Sequence, residues 1–109
     1  MKDKLIKIIN NFGIANQLKK FNEECFELQE AIINHELKKS VEYEIPLTEI
    51  VGTREHIAEE IADVMLLLEQ FKTYYGITSE EITNLFWNKV ARTLERIESG
   101  YYEKQSDNS

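Results

Sequence analysis

One cysteine, one proline, one tryptophan and four glycines in 109 residues are scarcities that each remove a class of protein. Cys25 alone can form no internal disulfide and no thiolate cluster for zinc, so no oxidising compartment is called for and the residue reads as a small buried side chain. So few turn formers argue against a β architecture and favour long helices. No uninterrupted apolar stretch approaches the roughly 18 residues of a membrane span, and the run from Met1 to Ile9 alternates charged with apolar residues. The expectation is a cytoplasmic protein with no membrane partner. Positive charge is also in deficit: 13 Lys and Arg stand against 20 Asp and Glu, for a net charge of −7. That field repels a phosphate backbone, so a nucleic-acid polymer is not an expected partner. A small polyphosphate is not excluded, because a bound cation inverts the local field.

What is present is helical periodicity. The length fits one domain, placed at 1–102, since half a chain could not bury a core of its own. The expected fold is all-α, an antiparallel helix bundle, with 42% hydrophobic residues enough for a core and for an apolar face that a second subunit would cover. Gly13 separates an amphipathic start at about 3–12 from a helix carrying Ile14, Leu18, Phe21, Cys25, Leu28 and Ile32 at spacings of four and three. The pattern lapses from Ser40 to Gly52 around Pro46, and Thr53 offers an N-cap for a central helix with Ile57, Ile61, Val64, Leu68, Phe71 and Tyr75, ending at Gly76. Thr78 and Glu81 have the form of a capping box, opening a last helix with Ile82, Leu85, Phe86, Val90, Leu94 and Ile97 on one face and Gly100 at its end. The tail at 103–109 lacks apolar residues and is expected to be disordered.

Chemistry is suggested by two carboxylate pairs. Glu24 and Glu27 lie three apart on the second helix, and Glu60 and Asp63 three apart on the third, so each pair projects from one helix face. Antiparallel packing would bring the four together into the oxygen-rich surroundings that Mg²⁺ or Mn²⁺ prefers. Spacing by itself is weak, because acidic residues are abundant here and such pairs are common on solvated faces. Asp63 carries more weight: it sits in the apolar run Ile61-Ala62-Asp63-Val64-Met65-Leu66-Leu67-Leu68, where burial of an ionised carboxylate requires a cation or strong hydrogen bonds. An ion pair to Lys or Arg is the competing explanation. On the last helix, Asn88, Arg92 and Arg96 form an i, i+4, i+8 stripe beside Lys89, a candidate phosphate site if it is not simply a solvated face or a partner for Glu95 and Glu98. His35 and His56 are too scattered for a zinc site and read as surface residues, although His56 lies one turn before Glu60 and can line an entrance to it. The tyrosines and Trp87 read as core or subunit contacts.

The segments Glu23-Glu24-Cys25-Phe26-Glu27 and Glu60-Ile61-Ala62-Asp63 resemble the two acidic motifs, Glu-Glu-x-x-Glu and Glu-x-x-Asp, of the MazG-like all-α nucleoside triphosphate pyrophosphohydrolases. The likeness runs from about Gly13 to Tyr102, with Asn16-Gln17-Leu18 before the first motif and Asn88 to Arg96 near the end. It implies Mg²⁺-dependent cleavage between the α- and β-phosphates of a nucleotide, with Glu24, Glu27, Glu60 and Asp63 as metal ligands and Mn²⁺ as the alternative ion. It implies phosphate contacts from Lys89, Arg92 and Arg96, a sugar or base contact from Asn88, and a homodimer or homotetramer. Such chemistry needs a carboxylate to orient or deprotonate the attacking water, a role for Glu23 or Glu27. The 33 positions between Glu27 and Glu60 exceed the family's usual separation, with the excess around Pro46, where it bears on substrate identity more than on chemistry.

Two other functions fit the sequence less closely. Phosphoribosyl-ATP pyrophosphohydrolases share the acidic motifs and the length, but the residues before Gln17 do not resemble that branch. A non-catalytic helical partner protein would use the same carboxylates for a structural ion or an ion-pair network.

Overall fold

A computed structural model describes residues 1–101, and the expected tail disorder at 103–109 lies outside them. The described residues contain helices and no strand. The helices are α1 (Lys2–Phe12), α2 (Ile14–Lys39), α3 (Leu47–Tyr74) and α4 (Ser79–Glu98). They fall into two compact units, one from Met1 to Tyr75 holding α1 to α3 and one beginning at Gly76 and holding α4.

The chain breaks where its glycines allow it to. α1 and α2 meet at the single residue Gly13, whose φ of 85° and ψ of 151° lie in a region essentially reserved for glycine. Its amide still donates to the Ile9 carbonyl at 2.7 Å, closing α1.

The connection before α3 is shorter than the sequence suggests, because the helix starts at Leu47 and Thr53 is not its cap. Pro46 occupies the N-cap with an extended ψ of 140°, a place where its missing N–H costs nothing. Glu49 lies in the first turn, where its charge complements the helix dipole. Gly52 is absorbed into the helix. Thr53 sits within it and turns its hydroxyl back to the Ile50 carbonyl at 2.7 Å.

α2 and α3 form the main contact of the first unit and run antiparallel, as three pairs show: Lys38 meets Glu49, His35 meets Thr53, and Gln17 meets Gln70. Phe21 packs edge-on against Phe71, with ring centres 5.5 Å apart. α1 closes one side with buried Leu5 and Ile9, which join Ala31, Ile50 and Leu67 in a small apolar core.

The seam itself differs from the expected apolar stripes. On α2 the buried positions are Gln17, Glu24 and Ala31, spaced by sevens. On α3 they are Ile50, Thr53, Glu60, Leu67 and Gln70. Phe21, Leu28, Val64 and Phe71 flank the seam half-buried, whereas Leu18, Ile32, Ile61 and Leu68 are exposed. Both helices are apolar around more than one face, so periodicity did not define a single inward direction. Asp63 follows the same correction: it is exposed, and the buried carboxylates are Glu24 and Glu60.

In the second unit, Thr78 and Glu81 make the expected reciprocal capping box, with the Glu81 amide 3.1 Å from the Thr78 hydroxyl and the Thr78 amide 2.7 Å from the Glu81 carboxylate. These bonds hold the Glu81 carboxyl below its ordinary pKa.

The two glycines that bear on helix continuity should respond oppositely to alanine. Neither has an atom within 4 Å of an added methyl group, so backbone preference alone decides. Gly13→Ala should cost about 1–3 kcal/mol, and Gly52→Ala, inside α3, should add up to about 1 kcal/mol. Thermal unfolding of the two variants beside the parent measures both signs.

Candidate metal centre

Glu24 and Glu60 reach the centre from facing helices because both occupy the seven-residue seam of the α2–α3 pair. With Asp63, one turn after Glu60 on the solvent side, they place one carboxylate oxygen each within 4.8 Å of the others. Glu24 is 5% exposed and Glu60 8%. Glu24 Oε2 and Glu60 Oε2 are both buried without a hydrogen-bond partner among the described residues. An ionised carboxylate oxygen in that position has lost water and gained no donor, an unfavourable state that a cation or a shared proton relieves.

The partial charges around the pair are uneven. Lys20, one turn before Glu24, donates to its Oε1 at 3.0 Å. That bond, against the effect of burial, holds the Glu24 carboxyl below its ordinary pKa. Glu60 has a weaker neighbour in His56, whose Nε2 is 3.6 Å from Oε1. Burial, followed by the charges of Glu27 and Glu24, pushes the Glu60 carboxyl above its ordinary pKa, with His56 opposing. The site therefore holds one well-compensated carboxylate facing one poorly compensated carboxylate.

Two clefts flank the cluster. The larger, about 590 Å³, is lined by Glu23, Glu24 and Asp63 at one end and by Gln17 and Gln70, with Leu66 and Leu67 in its wall. The smaller, about 350 Å³, is lined by Glu27, Glu30, Asn34, His56 and Glu60. Glu24, Glu60 and Asp63 are thus brought together as the sequence suggested. Glu27 is exposed and lines the second cleft beside Glu60, outside the three-oxygen cluster, and Glu23 lines the first.

The basic candidates belong to the second unit. On α4 the Lys89 carbonyl accepts the Thr93 hydroxyl at 2.8 Å, Asn88 and Arg92 are exposed, and the Arg96 guanidinium lies 4.9 Å from the centre of the Tyr101 ring. Sequence reasoning missed Lys20, although its place one turn before Glu24 marks it as a partner. It also missed Gln17 and Gln70, whose polarity disguised their burial.

The donor set suits a hard divalent cation: three carboxylates from two rigid helices, all oxygen, two of them with an unclaimed buried lone pair. No protein-family model matches this chain, and no curated protein and no solved structure matches it either.

The facing carboxylates should respond differently to amide substitution. A raised folded-state pKa means that the stability Glu60 supplies is present below the unfolded value and lost as pH rises through the folded one, so at neutral pH the charge destabilises the metal-free fold. Glu60→Gln should therefore raise the melting temperature in chelator, its amide able to donate to the free Glu24 oxygen. Glu24, with a lowered value, supplies stability above the unfolded value that is lost as pH falls through the folded one, so Glu24→Gln should lower the melting temperature. With Mg²⁺ or Mn²⁺ at a hundredfold excess over Kd the parent should gain about 2.7 kcal/mol, and the Glu60→Gln protein should gain little. Differential scanning calorimetry of the three proteins with and without metal measures these shifts.

Proposed function

We propose that the chain is a Mg²⁺-dependent nucleotide pyrophosphohydrolase, cleaving the α–β phosphoanhydride of a ribo- or deoxyribonucleoside triphosphate to the monophosphate and pyrophosphate. The observation that carries this reading is the meeting of Glu24, Glu60 and Asp63, with two buried oxygens that no donor among the described residues satisfies. The resemblance of the segments bearing these residues to the MazG-like motifs supplies the reaction class.

A bound divalent ion would neutralise phosphoryl oxygens and lower the barrier to in-line displacement. Glu24, Glu60 and Asp63 would hold it, with Glu27 joining from the second cleft. Water attacks phosphorus as the bond to the departing pyrophosphate breaks, and the water's proton passes to an exposed carboxylate. Glu23 in the larger cleft and Glu27 in the smaller are the candidates, both within the same helix turn as Glu24. Lys20 already lies at the cluster and offers charge to a phosphate. Lys89, Arg92 and Arg96 remain proposed phosphate contacts and Asn88 a sugar or base contact.

The exposed apolar residues of the first unit, including Phe26, Ile33, Leu37, Ile61 and Met65, support a homodimer or homotetramer in which a second copy covers them. No helix among the described residues is long and apolar enough to cross a membrane. A non-catalytic partner protein has the Lys20–Glu24 pair in its favour, but that pair leaves both buried oxygens unsatisfied.

Pyrophosphate release from a panel of ribo- and deoxyribonucleoside triphosphates tests the proposal. Release should require Mg²⁺ or Mn²⁺ and should fall at least about a hundredfold in Asp63→Asn and Glu60→Gln, the scale of losing a principal electrostatic stabiliser. Turnover that persisted in both variants would remove the carboxylate cluster from the mechanism.

A further inference from the structure

The larger cleft has a polarity that runs along α2. Gln17, Lys20 and Glu24 all line it, and their spacings of three and four residues place them about 4.5 and 6 Å apart along the helix axis. An amide, an ammonium and a carboxylate thus follow one another from the far end of the cleft to the cluster. Ile8, Phe12, Leu66 and Leu67 supply apolar walls.

The amide at the far end has a fixed orientation. The Leu66 carbonyl can only accept, and it takes a hydrogen bond from Gln70 Nε2 at 3.3 Å. Gln70, 1% exposed, therefore turns Oε1 toward Gln17, whose Nε2 donates to it at 2.7 Å. Gln17 is itself 7% exposed, and one of its two Nε2 hydrogens is committed to Gln70. Among the described residues its Oε1 receives no donor, and the side chain lines the cleft. A backbone carbonyl thus determines, through two side-chain amides, which end of Gln17 faces Gln70, and leaves Gln17 Oε1 as an acceptor without a donor among the described residues.

We propose that this cleft seats the nucleoside part of the substrate, with Gln17 Oε1 accepting an amino or imino N–H of the base. The assignment rests on the pyrophosphohydrolase reading and specifies its substrate class: a nucleotide whose base turns an N–H edge away from the phosphates. The apolar walls flank the flat base, Lys20 meets a phosphate, and the carboxylates hold the metal end. A base whose N–H is replaced by N-methyl leaves that acceptor unpaired beneath the base and brings a methyl group against it.

The test compares uridine with N3-methyluridine triphosphate, and cytidine with N4,N4-dimethylcytidine triphosphate, on the parent protein. It also compares each natural nucleotide with inorganic tripolyphosphate on the Gln17→Leu/Gln70→Leu protein, which removes both amides together. Methylation should lower kcat/KM by about tenfold or more, and the double variant should lose a similar factor on nucleotides with tripolyphosphate unchanged. Equal turnover of methylated and natural nucleotides overturns the assignment while leaving the hydrolase reading intact. A double-variant loss equal on tripolyphosphate also overturns it, because the effect would not depend on the base. If the parent releases pyrophosphate from no triphosphate, the hydrolase reading falls. Calorimetry with Mn²⁺ then tests the cleft directly: tighter binding of uridine monophosphate than of N3-methyluridine monophosphate upholds the base site, and equal binding overturns it.

Discussion

Between α2 and α3, Glu24 and Glu60 each keep an oxygen buried without a donor among the described residues, a cost that the first unit carries at its central seam. Lys20 neutralises one carboxylate from the rim, but it is half exposed and contributes little to stability by itself. Neither it nor His56 reaches the orphaned oxygens. Apolar residues of similar size at such positions are often neutral or stabilising relative to buried ionic groups. Retaining two acids in facing seam positions makes sense when something positive, a metal ion or a proton, is the third partner.

The distribution of charge fits such a role better than the net charge alone suggests. A chain with a surplus of seven negative charges repels anions at long range, yet at short range the larger cleft carries Lys19 and Lys20 beside its carboxylates. Long-range repulsion disfavours extended polyanions, whose many charges each feel the field. A chelated nucleotide has most of its charge neutralised by the ion that the carboxylates would hold.

Much of this was legible in the sequence, for identifiable reasons. The helices, the breaks at Gly13 and Gly76 and the capping box at Thr78 follow from local chemistry that packing does not override. The meeting of Glu24, Glu60 and Asp63 followed from spacing and antiparallel connection. Which carboxylates would be buried did not: the apolar run around Asp63 pointed to that residue, whereas the helix turns it outward and buries Glu60. Thr53 looked like a cap because the helical pattern lapses from Ser40 to Gly52, yet Pro46 starts the helix earlier and Gly52 is tolerated inside. Gln17 and Gln70 were invisible as a pair, since 53 residues separate them and neither is apolar.

The polar seam also fixes how far one helix can slide along the other. An all-leucine interface repeats every heptad, and a shift of two turns would cost it little. Here amide faces amide at Gln17 and Gln70, imidazole faces hydroxyl at His35 and Thr53, and carboxylate faces carboxylate between them. A displacement by seven residues would break the Gln17–Gln70 and His35–Thr53 bonds, so polar contacts as well as packing fix the alignment of α2 with α3. The interaction least favourable by itself, acid against acid, lies between two polar pairs that this alignment satisfies, and they hold it in place.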